Sequence, residues 1–396
     1  MSDLANRRSR RFLLLLAVAL PAALASLPAA RGQGEDGDAG AIKFGVAGPM
    51  TGSGAVYGEM IRSAALLAQG ELNDRGGVRG RRLEIEFGDD QGKNDQAVIV
   101  AKKLAGDPEI SIVIGHFNST CSIAGRETYK EAGVVEFSPG STNVDVCNNT
   151  EWTFRNLYRD DYQGQCLARY VKNTLSLTRV AVFFDNDDYG KGLKDAFVAE
   201  AERLGLSIVA PPQGYIRERD SDFRTSLDTL AAGNPEVILI SGLYEAAGTI
   251  IKQAREKGMK TPFLGGDGVF SPGLIEIAGE AAEGTLITTP FLFTETSSDE
   301  AKGFKTRFEE EYGRSPDTWA ALTYDAVMQA AWVIEKVGPD RKAIRDYFAS
   351  MTTTEKGYPG ITGITYFDEN GDCQKPLWVA LVKYGEFDLA PKQVGQ

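Results

Sequence analysis

The sequence has one histidine and four cysteines, and it lacks the residue clusters on which many enzymes depend. A Ser-His-Asp triad would have to use His116, yet no G-x-S-x-G turn is present to expose a serine nucleophile. Neither a second histidine nor a group of cysteines offers zinc ligands. His116 lies at the end of a buried-strand pattern, which favours a hydrogen-bonded structural role. Catalysis is therefore the least favoured class of function.

Blocks of basic residues are also absent. The chain has 55 acidic and 43 basic residues and a formal net charge of −12, which argues against nucleic acid or an anionic membrane as a partner. The glycine-rich segment Gly45–Gly58 follows a predicted strand but matches neither the dinucleotide-binding nor the P-loop pattern. We therefore expect no cofactor.

The N terminus has the features of a secretory signal. Four arginines between positions 7 and 11 precede an apolar run, and small residues follow as far as Ala30. The run is too short for a retained membrane span, so residues 1–30 are predicted to be a cleaved signal peptide. Ser9–Leu14 loosely fits a twin-arginine pattern, which leaves both Sec and Tat export open. Residues 31–41, rich in Gly, Asp and Glu, are predicted to form a disordered leader.

From Ile42 onward, short apolar runs alternate with amphipathic stretches of helical length, which is typical of an α/β doubly wound fold. Strands are predicted at Ile42–Val46, Leu83–Phe87, Ile110–Ile114, Val134–Phe137, Val180–Phe184, Ser207–Ala210, Val237–Ile240 and Thr285–Thr288. Helices are predicted at Val56–Asn73, Asp95–Ala105, Gln163–Leu175, Lys191–Leu204 and Ala246–Lys257. About 355 residues remain after the leader, too many for one ordinary core, so two lobes are expected.

The segment Ile110–Asn143 predicts half of a small-molecule site. A buried strand ends at a polar loop, and a helix with Ser119 as its N-cap continues until Gly133 stops it. The next strand ends at the hydroxyl-rich sequence SPGSTN. Because neighbouring parallel strands end at the same edge of a sheet, hydroxyl groups and helix N-terminal N–H groups should meet there and bind a small anion such as a carboxylate.

Five motifs follow one another along the chain, namely GPMTGSGAVYG, VIGHFNST, FSPGSTN, FFDNDDYGKGL and FLGGDGV. In wording and spacing they resemble the periplasmic leucine/isoleucine/valine-binding proteins that supply ABC transporters. The resemblance covers Ile42–Asp388. It implies the type I periplasmic binding protein fold, in which two Rossmann-like lobes with parallel-sheet cores are joined by three hinge crossings, here near Arg159, Pro290 and Phe367. Lobe one would comprise residues 42–158 and 291–366, and lobe two residues 159–290 and 367–396.

The resemblance also implies a ligand site. The hydroxyls of Ser119 and Thr142, with the Thr142 N–H, would hold a carboxylate, whereas the Gly140 carbonyl and the Asp267 carboxylate would hold an ammonium. Aromatic residues would shape the pocket for the ligand's side chain. The full set of candidates is Tyr57, Asn118, Ser119, Gly140, Ser141, Thr142, Tyr189, Leu243, Asp267 and Trp319.

Three departures from the family pattern leave the ligand open. Asp267 is one methylene shorter than the glutamate that is frequent in the family, and Leu243 stands where an aromatic hydroxyl commonly assists the ammonium. Gly92 and Asn118 stand where the cysteines of the family's typical lobe-one disulfide would be. Asn118 and Glu136 would also add polar groups that an aliphatic amino acid does not need. An amide, a urea-like compound, a short-chain amino acid or an aromatic carboxylate therefore remains an alternative to a branched-chain amino acid.

These features predict a monomeric, exported protein that binds a small amino acid by hinge closure and delivers it to an ABC permease in the inner membrane. A ligand sensor of the same fold, which signals to a membrane receptor, is the alternative, and an enzyme ranks third. Export and an even number of cysteines favour disulfides, for which three pairings exist. We predict Cys121–Cys147, because each follows a ligand loop, and Cys166–Cys373, because each lies just beyond a lobe crossing.

Overall fold

The structure, a computed structural model, describes residues 40–394. The predicted signal peptide and most of the predicted leader lie outside the described residues. The leader prediction extends too far, because Arg81 donates hydrogen bonds to the carbonyls of Gly40, at 2.6 Å, and Ala41, at 3.1 Å. Within the described range, no helix combines the length and the apolarity needed to cross a membrane.

Strands and helices alternate through most of the described chain. The strands are β1 (Ile42–Gly48), β2 (Leu83–Asp89), β3 (Ile110–Ile114), β4 (Val135–Ser138), β5 (Thr153–Arg155), β6 (Arg179–Asp185), β7 (Ser207–Ile208), β8 (Gln213–Tyr215), β9 (Val237–Ser241), β10 (Phe263–Gly265), β11 (Leu286–Thr289), β12 (Tyr358–Gly360), β13 (Gly363–Thr365), β14 (Trp378–Lys383) and β15 (Glu386–Leu389). The α-helices are α1 (Ala55–Asp74), α2 (Asn94–Gly106), α3 (Ser119–Ala132), α4 (Asp160–Arg169), α5 (Asp188–Arg203), α6 (Arg224–Ala232), α7 (Tyr244–Glu256), α8 (Pro272–Ala278), α9 (Asp299–Tyr312), α10 (Thr318–Val337) and α11 (Arg341–Ser350).

The first sheet has five parallel strands in the order β2-β1-β3-β4-β5. The central strands β1 and β3 are almost entirely buried and pair in a register that sets Phe44 against Ile112 and Val46 against Ile114. Strand order reverses between β1 and β3, so the loops that follow these two strands border a crevice. Tyr57 comes shortly after the first loop, and Ser119 comes directly after the second.

The second sheet has the order β15-β14-β11-β10-β9-β6-β7, with β8 also paired to β6. Its strands are parallel from β11 to β7, and β14 and β15 extend it as antiparallel edge strands. Strand order reverses between β6 and β9. The loops after these strands lead to Tyr189 and Leu243, which places a second crevice at this sheet.

The chain passes from the first sheet to the second after β5, leaves the second sheet after β11, and rejoins it at β14 after the separate antiparallel pair β12–β13. After the second passage, α10 packs against α1, and α11 packs against β3 and β4 of the first sheet. The molecule is thus a two-lobed α/β protein of the predicted fold class. The predicted boundaries at Arg159, Pro290 and Phe367 stay predictions.

Helix α3 confirms its predicted end at Gly133 and corrects its predicted N-cap. Gly133 follows the helix with φ +63° and ψ +40°, the left-handed conformation in which glycine commonly ends a helix. The predicted N-cap is displaced by one residue, because Asn118 precedes the helix and Ser119 is its first residue. The Ser119 hydroxyl is consequently directed to a neighbouring loop and not to its own helix.

The structure contains neither predicted disulfide, Cys121–Cys147 or Cys166–Cys373. All four cysteines are buried and free, and the Cys147 thiol lies 3.8 Å from the carbonyl oxygen of Gly371. A position close to a loop or a crossing does not determine where a side chain points, whereas a disulfide requires two Cβ atoms within about 4.5 Å. The pairing prediction is wrong for this reason.

Candidate ligand-binding cleft

A small cavity of about 20 Å³ lies where the loops of the two sheets meet. The loops after β3 and β4 line one side, and the starts of α5 and α7 with the turn after β10 line the other. Seven of the ten predicted site residues line this cavity. Its lining residues are Phe117, Asn118, Ser119, Gly140, Tyr189, Leu243, Asp267, Gly268 and Trp319.

Aromatic side chains close the cavity. Tyr57 stacks on Phe117 with 4.5 Å between ring centroids, and Trp319 meets Phe117 edge-on at 4.9 Å. The Tyr57 hydroxyl donates to the Gly268 carbonyl on the opposite side of the cleft. Trp319 Nε1 makes a similar bond, 3.0 Å long, to the carbonyl of Phe270. Pockets for small ligands usually measure about 300–1,000 Å³, so this cleft is in a closed conformation.

Ser119 forms the centre of an anion-binding corner. Its Oγ accepts hydrogen bonds from the N–H groups of Thr142, at 3.2 Å, and Asn143, at 3.1 Å. The hydroxyl proton remains available for donation, because both of these bonds use the oxygen as an acceptor. Ser119 also begins α3, where free N–H groups and the helix dipole favour negative charge.

Thr142 and Ser141 differ from their predicted roles. The Thr142 N–H already donates to Ser119, and Thr142 Oγ1 is buried beside Asp160 without a hydrogen bond of ordinary geometry. The Ser141 hydroxyl points away from the cavity and lies 2.9 Å from the Phe117 carbonyl and 2.8 Å from Ser122 Oγ. Both residues therefore hold the loop in place in this closed conformation.

Asp267 is the charged group on the opposite side of the cavity. It is 1% exposed, and its Oδ1 accepts a 2.7 Å hydrogen bond from the Tyr189 hydroxyl. Its Oδ2 has no partner among the described residues. Burial raises the pKa of Asp267 to about 6, against the opposing effects of the hydrogen bond from Tyr189 and of the nearby Gln163 amide. A buried carboxylate with an unused oxygen is well suited to a cationic group.

Four further residues belong to this region but were not predicted from the sequence. Phe117 and Gly268 line the cavity next to predicted residues. Gln163 Oε1 accepts a 3.1 Å hydrogen bond from the Asp267 N–H. Asp160, 1% exposed, has neither carboxylate oxygen paired within residues 40–394, and its N–H donates to the Thr142 carbonyl at 2.8 Å. The sequence did hold a signal for Gln163 and Asp160, because acidic and amide residues begin the helix at this lobe crossing.

Asp160 and Asp267 influence each other. Burial raises the pKa of Asp160 well above its ordinary value, and the negative charge of Asp267 raises it further. Two nearby buried carboxylates are more stable with a cation or a proton between them.

Leu243 lines the cavity, whereas the Tyr244 hydroxyl donates to the Ser53 carbonyl at 3.0 Å. The turn after β9 therefore brings no tyrosine hydroxyl to Asp160 or Asp267.

Glu136 does not line the cavity, contrary to its suggested role as a ligand contact. It is fully buried in β4 and accepts a 3.2 Å hydrogen bond from the Thr153 hydroxyl. Burial raises the pKa of Glu136 to about 7, and the neighbouring His116 opposes this rise. Glu136 therefore belongs to the interior behind the ligand loops.

Known proteins resemble this chain over nearly its whole described length. The family model for periplasmic binding proteins matches residues 41–386. The Leu/Ile/Val-binding protein homolog 1 of Brucella suis is 34% identical over 344 residues, which cover 85% of this chain and 89% of the relative. A leucine-, isoleucine-, valine-, threonine- and alanine-binding protein of Pseudomonas aeruginosa is 30% identical over 337 residues, 84% of this chain and 87% of that protein.

Solved structures agree with this relationship. The leucine-binding protein LivK of Thermotoga maritima superimposes with a TM-score of 0.83 and 31% identity, covering 89% of this chain and 98% of that one. The substrate-binding protein LivJ of Streptococcus pneumoniae, solved with isoleucine, gives a TM-score of 0.82 and 28% identity, with 88% and 98% covered. This chain therefore belongs to the periplasmic binding protein family, as a solute-binding protein of the periplasm and not an enzyme.

Proposed function

We propose that this protein binds a branched-chain or related small L-amino acid in the closed cleft. The observation that carries the proposal is the placement of an anion-binding corner at Ser119 opposite the unpaired carboxylate oxygen of Asp267. An amino acid carries a carboxylate and an ammonium on the same carbon, so it satisfies both sides at once. The named ligands of the leucine- and isoleucine-binding relatives support this choice.

The ligand's carboxylate would accept bonds from the Ser119 hydroxyl and the first N–H groups of α3. Its ammonium would donate to Asp267 Oδ2 and to the carbonyl of Gly140. Hydrogen bonds to charged groups contribute about 1.5–3 kcal/mol each when water is excluded. Phe117, Leu243 and Trp319 supply apolar walls for an aliphatic side chain.

Closure of two lobes around the ligand would follow from this arrangement, because groups on both sides of the cleft hold one molecule. We propose lobes at residues 42–158 plus 291–366 and 159–290 plus 367–396, with hinges near Arg159, Pro290 and Phe367. Contacts at the cleft mouth support a closing motion, since Glu218 bonds to Ser53 Oγ at 3.1 Å and to Lys93 Nζ at 3.2 Å. Small-angle scattering should give a smaller radius of gyration with L-leucine, and an unchanged radius at saturation contradicts hinge closure.

Delivery to a permease is the proposed biological role. The protein would be exported by the Sec or Tat route, lose residues 1–30, act as a monomer, and pass its ligand to an ABC permease in the inner membrane. Membership of the periplasmic binding protein family supports this role.

Native mass spectrometry of freshly purified protein, followed by calorimetric titration, tests the choice of ligand. We expect a co-purified amino acid and saturable binding of L-leucine, L-isoleucine or L-valine, with no binding of benzoate or acetamide. Benzoate is an anion and acetamide is neutral, so neither has an ammonium and both leave Asp267 unpaired. Binding of benzoate or acetamide in place of every amino acid overturns the proposal.

A further inference from the structure

Three buried polar side chains lie behind the loop that carries Ser119, and none of them lines the cavity. Asp90 follows β2, His116 follows β3, and Tyr129 lies on α3; each is 0% exposed. His116 Nδ1 is 2.6 Å from Asp90 Oδ2, and His116 Nε2 is 2.9 Å from the Tyr129 hydroxyl. The imidazole ring thus connects a loop to a helix through the protein interior.

The chemistry of the three groups defines the direction of these hydrogen bonds. A carboxylate only accepts, so His116 Nδ1–H donates to Asp90. Nε2 pairs with the Tyr129 hydroxyl, which donates to it when the ring is neutral and accepts from it when the ring is protonated. With both nitrogens engaged, the ring is held in one orientation. His116, which directly precedes Phe117 in the ligand loop, is therefore held in place by contacts on the side away from the cavity.

The main chain of His116 joins the two loops of the carboxylate corner. Its carbonyl oxygen accepts a 2.6 Å hydrogen bond from the Ser138 hydroxyl and lies 3.3 Å from the hydroxyls of Ser122 and Ser141. Ser138 ends β4, and Ser141 belongs to the loop that contains Gly140 and Thr142. One carbonyl therefore holds the turn after β3 against the loop after β4.

Asp90 extends this connection to a third loop. Its second oxygen, Oδ1, accepts a 2.8 Å hydrogen bond from the N–H of Gly92. A Cβ atom placed on Gly92 would lie 3.3 Å from Asn118 Oδ1, so this loop lies directly against the residue before Ser119. The position of Ser119 thus depends on contacts from three loops that meet at Asp90 and His116.

We propose that Asp90, His116 and Tyr129 are positioning residues for the carboxylate half of the ligand site. By fixing the turn between β3 and α3, they hold Ser119 and the helix N-terminus where the ligand's carboxylate binds. Asp267, the charged group of the ammonium half, lies in a different loop of the other sheet and does not depend on them. This inference rests on the proposed amino-acid ligand.

A comparison of L-leucine with L-leucinamide tests the positioning role. L-Leucinamide keeps the ammonium and the side chain but has a neutral amide in place of the carboxylate. His116→Ala should reduce the preference for L-leucine over L-leucinamide at least tenfold, measured by calorimetric titration with both ligands. His116→Asn should restore most of the preference, because its amide nitrogen occupies the place of Nδ1 and can donate to Asp90. Tyr129→Phe, which removes only a hydroxyl, should give a smaller reduction in the same direction.

Asp325→Asn is the matched control for general destabilisation. Asp325 is also 0% exposed, lies on α10, and accepts bonds from the N–H groups of Ile361, at 2.8 Å, and Thr362, at 2.9 Å. This variant should lower the thermal midpoint and leave the ligand preference unchanged. An unchanged preference in both His116→Ala and Tyr129→Phe overturns the inference, and if His116→Ala does not fold, Tyr129→Phe decides alone. Failure of the wild type to bind any of L-leucine, L-isoleucine and L-valine would instead overturn the proposed function.

Discussion

Replacement of Asp267 by asparagine removes the single charge among the described residues that line the cavity. Asparagine keeps the size of the side chain, and its Oδ1 can still accept the 2.7 Å hydrogen bond from Tyr189. The ligand's ammonium would then be buried opposite a neutral group. Truncating one partner of a buried, hydrogen-bonded charge pair costs about 2–5 kcal/mol, which corresponds to a loss of roughly 30-fold to several thousand-fold in affinity.

The stability of the ligand-free protein should change in the opposite direction. Burial raises the pKa of Asp267 from its ordinary 3.8 to about 6, so the folded protein holds a proton between these values that the unfolded chain has released. The carboxylate therefore destabilises the fold as pH rises through this range, by about 3 kcal/mol when fully charged. Asp267→Asn should keep or raise the ligand-free thermal midpoint at pH 7 while it weakens binding.

Calorimetric titration with L-leucine and thermal unfolding without ligand measure the two effects separately. Asp325→Asn serves again as the control, because it should reduce stability and retain affinity. Unchanged affinity in Asp267→Asn would refute the assignment of the ammonium to this residue. A parallel loss of affinity and stability would show that the substitution damages the fold, and the loss of affinity would then not support the assignment of the ammonium to Asp267.

Further predictions concern the opposite side of the site and the interior. Ser119→Ala should weaken L-leucine binding by less than Asp267→Asn, because one neutral donor is lost while the N–H groups of α3 remain; an equal or larger loss in titration would argue against this division. Asp160→Asn should reduce affinity for L-leucine at least tenfold if the two carboxylates share the ammonium, and an unchanged dissociation constant would limit Asp160 to a structural role. Burial raises the pKa of Glu136 from 4.5 to about 7. The folded state therefore binds the extra proton between pH 4.5 and 7, and the free energy of unfolding should fall by about 3 kcal/mol as pH rises through that window. Urea unfolding at pH 5 and pH 8 should show that Glu136→Gln lacks this fall in the free energy of unfolding, whereas an equal fall in the variant and the wild type would contradict the prediction.

Local sequence patterns determined the secondary structure of the long elements and the class of fold. Strand β3 occupies the predicted span Ile110–Ile114, and α1 differs from its prediction by one residue at each end. A continuous apolar run such as β3 is typical of a strand that is buried on both faces, and Gly133 ends α3 because it adopts a left-handed conformation at low cost. These preferences act between near neighbours in sequence, so the sequence alone displays them.

Local sequence patterns did not predict strands as short as β5 and β10, which have three residues each. Three residues show no reliable periodicity, and these segments are extended only because the neighbouring strand supplies hydrogen-bond partners. The directions of the cysteine thiols and of the Ser141 hydroxyl also depend on packing and not on position along the chain.

Tertiary structure alone decided which side chains meet across the cleft. The Tyr57 hydroxyl reaches the Gly268 carbonyl, His116 finds Asp90, and Gln163 supports Asp267, although each pair is far apart in sequence. No local preference encodes such a contact, because it depends on how two sheets and three chain crossings are arranged. The sequence by itself indicated hydroxyl groups suited to a carboxylate, and its family resemblance added Asp267 for an ammonium. Their distances, their burial and the partners left unpaired were determined by the folded arrangement of the lobes.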